Sequence, residues 1–348
     1  MLLNGIFAAI TTPFYQDGKI YFRKIEHNVD RYSRTPISGV AVLGSTGEAV
    51  MLSDEERREV LREARNAAAN HTVLLAGVGA ESAIATLALA EYAASLSYDA
   101  VLVRPPHYYK PQMKPENILA FYRFVADRSP LPVVLYNAPV FTGYDMPVEI
   151  ITQLAEHPNI IGIKESGGSL EKIERLVQST GHVQYEVPVT EVFTAVTARM
   201  QAEEKAPENV VPVESLSATT TTAVVTRPKL KTRTKNAGFQ VLCGSAHQLL
   251  NALEKGAAGA LIAFASLAPT ACFEVYTAWK DRDPKLAEEK QQRIAAPSQR
   301  IVGQLGIPGI KYGLDLNGYY GGPPRLPLLP VTADAKLEIE KLLADIRN

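Results

Sequence analysis

Lys164 stands at the end of an apolar run, in the stretch "NIIGIKESGG" at residues 159–168. A lysine that caps a buried strand commonly extends its ammonium group into solvent and takes part in no chemistry. Here another apolar run ends in "YNAP", which contains Tyr136. A lysine amine in a partly dry site can form an imine with a carbonyl compound when a nearby hydroxyl relays protons. The two residues together therefore predict imine chemistry on an oxo substrate.

A second candidate site is "GSTGE", which follows an apolar run at residues 44–48. Its two glycines permit a tight turn with exposed backbone N–H groups, and Ser45 and Thr46 add hydroxyl donors beside Gly47. Such a turn suits a carboxylate or a phosphate, although an ordinary turn with self-bonded hydroxyls has the same composition. Tyr108, in "RPPHYYK", also follows an apolar run, where a tyrosine is commonly an amphipathic packing residue.

Short apolar runs alternate with amphipathic helical patterns along the chain. Eight runs are predicted as strands, and they begin at Gly5, Gly39, Thr72, Asp99, Pro132, Asn159, Phe239 and Gly259. Near-continuous apolar strands between helices are typical of a parallel sheet covered on both faces. Eight such units close a (β/α)8 barrel, so we predict an α/β TIM barrel, with a doubly wound open sheet as the alternative. In a barrel the carboxyl ends of the strands meet at one mouth, where Lys164, Tyr136 and Ser45 would lie.

The predicted barrel spans residues 1–268, and a C-terminal helical region follows at residues 269–348. One segment breaks the alternation, because residues 182–236 replace a helix-to-strand connection that ordinarily has about 2–6 residues. This segment contains "SATTTT" and the basic run "TRPKLKTRTK" and is poor in core-forming residues. We predict a flexible insertion on the barrel face opposite the mouth, with the basic run as a solvated loop rather than a contact for an acidic partner.

Charge and cysteine content exclude several classes of protein. The 348 residues carry 36 Lys and Arg against 37 Asp and Glu, so no broad field points to nucleic acid or an anionic membrane. The two cysteines are too few for a disulfide framework. No His or Cys spacing typical of a metal site and no glycine-rich nucleotide motif is present, so we expect neither a metal nor a nucleotide cofactor. The chain has no leader-like or long apolar segment, so we expect a cytoplasmic protein.

Together, "GSTGE", "YNAP" and "IGIKESGG" resemble the motifs of the dihydrodipicolinate synthase and N-acetylneuraminate lyase superfamily of class I pyruvate-dependent aldolases. The motifs occur in the family's order, and the resemblance covers nearly the whole chain outside the insertion. It implies a TIM-barrel lyase in which Lys164 forms a Schiff base with pyruvate or another 2-oxo acid. It also implies that no cofactor is needed beyond this imine, and that the protein is a homotetramer built as a dimer of dimers.

The resemblance further implies a role for each motif residue. Tyr136 shuttles protons, and Ser45 links it to Tyr108, which in this family usually reaches the site of a neighbouring subunit. Ser45, Thr46 and Gly47 contact the substrate carboxylate. Three further positions are implied to contact substrate, namely Phe141, Ser166 and the backbone around Leu261.

Phe141 bears on the expected substrate. Synthases of this superfamily read roughly YNxPxRTG, and their arginine pairs with the carboxylate of aspartate semialdehyde, whereas this chain reads "YNAPVFTG". A phenyl ring cannot donate the paired hydrogen bonds of a guanidinium, which weakens that binding by ~1.5–3 kcal/mol. "HPNIIGIKESGG", "FQVLCGSA" and "GIPGIKYGLDLNGYYGGPPRLPL" also resemble 4-hydroxy-2-oxoglutarate aldolases. We therefore expect cleavage of 4-hydroxy-2-oxoglutarate to pyruvate and glyoxylate.

Three alternatives stay open. The first is a 4-hydroxy-tetrahydrodipicolinate synthase, which condenses pyruvate with aspartate semialdehyde. The second is an N-acetylneuraminate or 2-keto-3-deoxy-sugar-acid lyase, because such enzymes also use "GSTGE" with a threonine at the position of Thr46. The third is a non-catalytic binding barrel, although such a protein has no need of an imine-forming lysine.

Overall fold

The computed structural model describes residues 2–190 and 232–346. Eight parallel strands form its centre: β1 (Gly5–Ala9), β2 (Gly39–Val42), β3 (Val73–Gly77), β4 (Ala100–Val103), β5 (Val133–Asn137), β6 (Ile160–Glu165), β9 (Gln240–Cys243) and β10 (Gly259–Ile262). They close into a barrel in the order β1-β10-β9-β6-β5-β4-β3-β2. All eight predicted strands are present, and closure of the sheet confirms the barrel over the doubly wound alternative.

Helices follow most of the barrel strands and form the outer layer. They are α1 (Phe22–Ser33), α2 (Asp54–Ala67), α3 (Ala83–Ser95), α4 (Pro115–Arg128), α5 (Pro139–Thr142), α6 (Val148–Ala155), α7 (Leu170–Ser179), α8 (Leu249–Glu254), α9 (Phe264–Leu267), α10 (Pro269–Lys280), α11 (Pro284–Ser298), α12 (Gly306–Leu316) and α13 (Ala333–Leu342). Within the described part of the chain, none of these helices combines the length and apolar character needed to cross a membrane.

The barrel strands are buried on both faces, which explains their nearly continuous apolar sequences. In β1, for example, Phe7 points into the barrel interior, whereas Ile6 packs against the helices. In β6, a Cβ atom on Gly162 would lie only 2.3 Å from the carbonyl oxygen of Gln240 on β9. A glycine is therefore required for β6 and β9 to pair this closely, and it stands two residues before Lys164.

The predicted flexible insertion, residues 182–236, begins and ends in regular structure. β7 (Gln184–Thr190) and β8 (Thr232–Gly238) form an antiparallel two-stranded sheet outside the barrel. The hydroxyl of Tyr185 on β7 donates a hydrogen bond to the carbonyl of Ala155 on α6, at 2.6 Å. The two ends therefore have paired backbone, which the sequence did not reveal because a hairpin does not require an apolar pattern, and the flexibility of the segment stays a prediction. The rest of the predicted segment, residues 191–231, lies outside the described residues.

The C-terminal helices belong to the same hydrophobic core as the barrel. Tyr32 of α1 donates a hydrogen bond to the carbonyl of Ser266 at 2.7 Å and stacks on Tyr319 with ring centroids 4.6 Å apart. Asn28, also on α1, exchanges two hydrogen bonds of 2.8 Å with the backbone of Tyr320. The C-terminal region is thus joined to the first strand–helix unit of the barrel.

Candidate active site

Lys164 lies at the mouth end of β6, directly opposite Tyr136 of β5 in the strand register. Only 5% of Lys164 is exposed, and its Nζ lies 4.3 Å from the centroid of the Tyr136 ring. Among the residues that the structure describes, no carboxylate pairs with this amine. The amine is therefore buried at the mouth without being committed to an ion pair.

Ser45 joins these two residues from the neighbouring side of the mouth. It begins a short 3-10 turn, Ser45–Gly47, which directly follows β2. Ser45 Oγ and Tyr136 OH share a hydrogen bond of 3.2 Å, and Tyr136 is only 4% exposed. The structure thus brings three of the predicted residues together as an amine, an aromatic ring and a hydroxyl pair.

The turn after β2 is buried and tightly held. Thr46 is 8% exposed, and the carbonyl of Gly47 accepts a 2.6 Å hydrogen bond from Thr12 Oγ1. Glu48 closes the turn in a left-handed conformation, with φ of 55°. A left-handed backbone is unfavourable for a residue with a Cβ atom, so the surrounding contacts must stabilise Glu48.

Those contacts come from residues that the sequence analysis missed. Glu48 Oε1 lies 2.6 Å from Lys311 Nζ on α12, and Glu48 Oε2 accepts a 2.8 Å hydrogen bond from the backbone N–H of Arg325. Burial lowers the pKa of the Lys311 ammonium to about 8, although the Glu48 carboxylate opposes this shift. One signal in the sequence could have indicated the pair, because Glu48 and Lys311 are charged residues within "GSTGE" and "GIPGIKYGLDLNGYYGGPPRLPL".

The remaining predicted residues have different surroundings. Tyr108 is 76% exposed, and within the described chain it makes no hydrogen bond to Ser45. Phe141, on α5, is 62% exposed. Ser166 Oγ is buried and has no hydrogen-bond partner among the described residues. Leu261 is fully buried in the barrel interior, so its side chain forms part of the core.

On their outward side, β5 and β6 are joined by a buried polar network. Asn137 Nδ2 donates to both carboxylate oxygens of Glu165, at 3.0 and 2.9 Å, and Lys172 Nζ lies 3.5 Å from the same carboxylate. Burial raises the pKa of the Glu165 carboxyl, while Lys172 acts in the opposite direction. Asn137 directly follows Tyr136, and Glu165 directly follows Lys164. Their hydrogen bonds therefore fix the register of the two strand ends.

A small cavity beside Tyr136 is also lined by two arginines, Arg57 and Arg104. Arg57 pairs with Asp54 at 3.2 Å, and Arg104 pairs with Glu81 at 2.9 Å. Neither guanidinium therefore lacks a carboxylate partner. In residues 2–190 and 232–346, no three or more His, Cys, Asp or Glu side chains are grouped as ligands for a metal ion.

A closed (β/α)8 barrel that brings a buried lysine next to a tyrosine ring at its mouth is compatible with imine-forming chemistry. The sequence profile of the dihydrodipicolinate synthetase family matches residues 2–187 and 182–346 of this chain. The chain therefore belongs to the dihydrodipicolinate synthetase family, and it is an enzyme of the pyruvate-dependent aldolase and lyase class.

Individual relatives agree with this assignment. A protein named 4-hydroxy-tetrahydrodipicolinate synthase from Methanothrix thermoacetophila is 27% identical over 347 residues, which cover 100% of this chain and 98% of the relative. The crystal structure of a dihydrodipicolinate synthase from Bacillus anthracis aligns over 100% of both chains, with a TM-score of 0.79 and 23% identity. A prophage protein of E. coli K12 from the dihydrodipicolinic acid synthase family, solved in complex with pyruvate, covers 99% of both chains with a TM-score of 0.78 and 24% identity.

Proposed function

We propose that this enzyme binds pyruvate, or another 2-oxo acid, as an imine on Lys164 Nζ. The observation that carries the proposal is the buried Lys164 amine, which lies 4.3 Å from the Tyr136 ring centroid and has no carboxylate partner in the described part of the chain. The amine attacks the C2 carbonyl, a carbon–nitrogen double bond forms, and the carbonyl oxygen leaves as water. The protonated imine then withdraws electrons from C3, so the chemistry requires no metal or organic cofactor.

Tyr136 is the proposed proton carrier. In the cleavage direction the C3–C4 bond breaks, its electron pair enters the imine to give an enamine, and Tyr136 accepts the proton of the C4 hydroxyl. Ser45, which shares a hydrogen bond with Tyr136, is the next group of the relay. Thr46 and Gly47 lie on the same turn and are proposed to bind the substrate carboxylate. Condensation runs through the same steps in reverse.

Tyr108 is proposed to complete the relay in a neighbouring subunit. Its side chain is 76% exposed, which leaves the ring available to enter the site of another copy of the chain. Exposed tyrosines are enriched where protein surfaces meet. A homotetramer built as a dimer of dimers would provide such a contact.

The names of the relatives indicate which substrate reacts with the pyruvate imine. The curated relatives are named 4-hydroxy-tetrahydrodipicolinate synthase, and this supports condensation of pyruvate with aspartate semialdehyde better than the aldolase activity expected from the sequence. We therefore propose this condensation as the first reaction to test.

Two observations favour 4-hydroxy-2-oxoglutarate cleavage as the second candidate. Phe141 stands where the superfamily's synthases carry a carboxylate-binding arginine, and Ser166 keeps a buried hydroxyl without a described partner. A buried hydroxyl without a partner is unfavourable, so a ligand oxygen near Ser166 would be stabilising. Arg57 and Arg104 line the cavity beside Tyr136, and each already has a carboxylate partner.

Borohydride reduction in the presence of pyruvate tests the imine. We expect a mass gain of one reduced pyruvate adduct per chain on Lys164, and no adduct in Lys164→Ala. Lys255→Ala, which removes a partly exposed lysine that pairs with Glu174, should still trap pyruvate. Dialysis against EDTA should leave the trapped fraction unchanged. An absence of trapping in the unmodified protein would support the non-catalytic barrel instead.

The second substrate is assigned by comparing kcat/KM for condensation with aspartate semialdehyde and for pyruvate release from 4-hydroxy-2-oxoglutarate. The larger value identifies the activity. A larger value for a sialic acid or a 2-keto-3-deoxy-sugar acid would contradict both candidates while leaving the imine chemistry intact.

A further inference from the structure

Four residues that are distant in the sequence meet at the turn that carries Ser45. They are Thr12, Glu48, Lys311 and Arg325, and we call them the Glu48 cluster. The Glu48 and Lys311 side chains are 0% and 1% exposed, and their charged atoms lie 2.6 Å apart. The cluster therefore places a fully buried ion pair three residues from Ser45.

Lys311 links the C-terminal region to Thr12 as well as to Glu48. Its Nζ donates 2.9 Å hydrogen bonds to the carbonyls of Thr12 and Pro323. Thr12 in turn donates from Oγ1 to the carbonyl of Gly47, at 2.6 Å. The last two residues of the turn, Gly47 and Glu48, are thus both held by one ammonium group, directly or through Thr12.

Arg325 holds the segment that leads from the turn into α2. Its backbone N–H donates to Glu48 at 2.8 Å, and its guanidinium donates to both carboxylate oxygens of Glu56, at 2.8 and 2.7 Å. The same guanidinium donates to the carbonyl of Met51 at 2.9 Å. Residues beyond position 300 therefore contact the chain at Glu48, at Met51 and in the first turn of α2.

The conformation of Glu48 indicates that its carboxylate is what this position requires. With φ of 55° the backbone lies in the left-handed region, which glycine adopts without cost. A glycine would therefore satisfy the turn alone, but it would leave Lys311 as a buried charge without its partner. The need for a carboxylate beside Lys311, rather than the backbone conformation, therefore explains why position 48 is a glutamate.

We infer that the Glu48 cluster positions Ser45 against Tyr136, so that Glu48 and Lys311 are positioning residues for the proton relay. This inference rests on the proposed function, because the relay is part of it. A buried ion pair is weak evidence for stability, since desolvation offsets the attraction between the charges. Its placement at the turn that carries Ser45, with no contact to the reacting lysine, is better explained by control of the relay.

The position of the cluster predicts a specific division of effects. Lys164 lies on β6 and Tyr136 on β5, and among the described residues neither forms a hydrogen bond or an ion pair with the cluster. Loss of the cluster should therefore raise the pyruvate concentration needed for imine formation, because Thr46 and Gly47 lie on the same turn. At saturating pyruvate the imine should still form, while the proton-transfer steps become slower. Misplacement of a catalytic group by about 1 Å commonly slows turnover by about 100-fold.

The test compares two proteins. One is the single variant Lys311→Met, and the other is a double variant that combines Glu48→Gln and Lys311→Met. For Lys311→Met we expect kcat to fall by about 10- to 100-fold, while the fraction of chain trapped with pyruvate and borohydride stays near that of the unmodified enzyme. The double variant removes the isolated buried charge, so its thermal midpoint should return toward that of the unmodified enzyme. Its kcat should stay low, because the turn is still released.

Arg300→Met is the matched control. Arg300 forms a two-pronged ion pair with Glu338 in the same C-terminal region, with both distances 2.7 Å, and it does not contact the turn. We expect its kcat to be unchanged. If kcat of the double variant recovers together with the thermal midpoint, or if Lys311→Met keeps full kcat, the inference is wrong. If the unmodified enzyme fails to trap pyruvate, the proposed function fails first.

The pH profile supplies a readout that a purely structural role would not move. Three charged groups face Lys311, namely Glu48 from the turn, Asp315 from α12 and Arg325 from the C-terminal segment. With a pKa near 8, Lys311 loses its charge as the pH rises, so kcat should decline through this range. Lys311→Arg keeps its charge there, and the decline should move to higher pH. An alkaline limb that is identical in both proteins would contradict the inference.

Discussion

Lys164 and Lys311 are both buried lysines, and the difference between their surroundings separates their roles. Lys311 lies 2.6 Å from Glu48 and donates to two backbone carbonyls, so its charge is partly compensated. Lys164 has the face of Tyr136 at 4.3 Å and no carboxylate partner among the described residues. A compensated ammonium stabilises an arrangement of backbone, whereas an uncommitted amine can react with a carbonyl compound. The different surroundings of the two lysines are therefore the basis for the different roles proposed for them.

Phe141 allows a direct test of specificity at the scale of one residue. Phe141→Arg would place a guanidinium on α5, where it could form paired hydrogen bonds with a second carboxylate. Because the position is 62% exposed, solvent weakens the gain, and we expect kcat/KM for aspartate semialdehyde to rise by about two- to fivefold, or ~0.4–1 kcal/mol.

Phe141→Leu is the control for loss of the ring, and its kcat/KM for aspartate semialdehyde should not rise. An equal response in the two variants would show that Phe141 does not limit semialdehyde binding.

At the scale of the element, β6 carries Lys164, the proposed nucleophile, and close contacts with the neighbouring strands hold β6 in place. Gly162 lets β6 approach β9, and the Asn137–Glu165 hydrogen bonds fix β6 against β5 on the outward side. The sequence predicts the strand from its apolar run. It does not reveal the hydrogen bonds of Glu165, because periodicity shows which side chains face outward but not which partners they meet.

Gly162→Ala tests the close approach of these strands. The added Cβ would lie 2.3 Å from the Gln240 carbonyl oxygen, so β6 must shift, and overpacking of this kind costs ~1–3 kcal/mol. We expect a lower free energy of unfolding in urea and a reduced yield of the trapped imine, because the shift moves Lys164.

Gly303→Ala is the matched control, since a Cβ at that position has no neighbour within 4 Å. Its stability and trapping yield should stay close to those of the unmodified enzyme. Trapping at the full yield in Gly162→Ala would contradict the dependence of the amine on this strand contact.

At the scale of the whole molecule, the barrel and the C-terminal helices form one buried core. Both cysteines lie inside it, with Cys243 1% exposed on β9 and Cys272 fully buried on α10. Burial raises the pKa of the Cys243 thiol from 9.0 to about 11, and it also raises the pKa of the Cys272 thiol. The core therefore keeps both thiols protonated at pH values where an exposed cysteine ionises.

This difference predicts a loss of stability at alkaline pH. Between pH 9 and 11 the unfolded chain releases the Cys243 proton while the folded chain retains it, so the free energy of unfolding should fall as the pH rises. A shift of this size corresponds to ~2–3 kcal/mol for Cys243. Urea unfolding at several pH values measures the slope.

Cys243→Ala isolates the contribution of this thiol, because other titrating groups affect both proteins equally. Its free energy of unfolding should be lower at neutral pH owing to the lost volume, but it should fall less steeply above pH 9. Parallel slopes in the two proteins would show that the folded state does not hold the Cys243 proton.

The amino-acid sequence by itself determined the eight strands and favoured the barrel in which Lys164, Tyr136 and Ser45 meet, while closure of the sheet decided against the open alternative. These follow from local rules, because apolar runs mark buried strands and the carboxyl ends of parallel strands converge. The tertiary structure decided that Glu48 meets Lys311 and Arg325, and that β7 pairs with β8 at the ends of the predicted flexible segment. Partners of a buried charge, and of a strand without an apolar pattern, depend on which distant segments packing brings together. The local periodicity of the sequence does not show which distant segments come into contact.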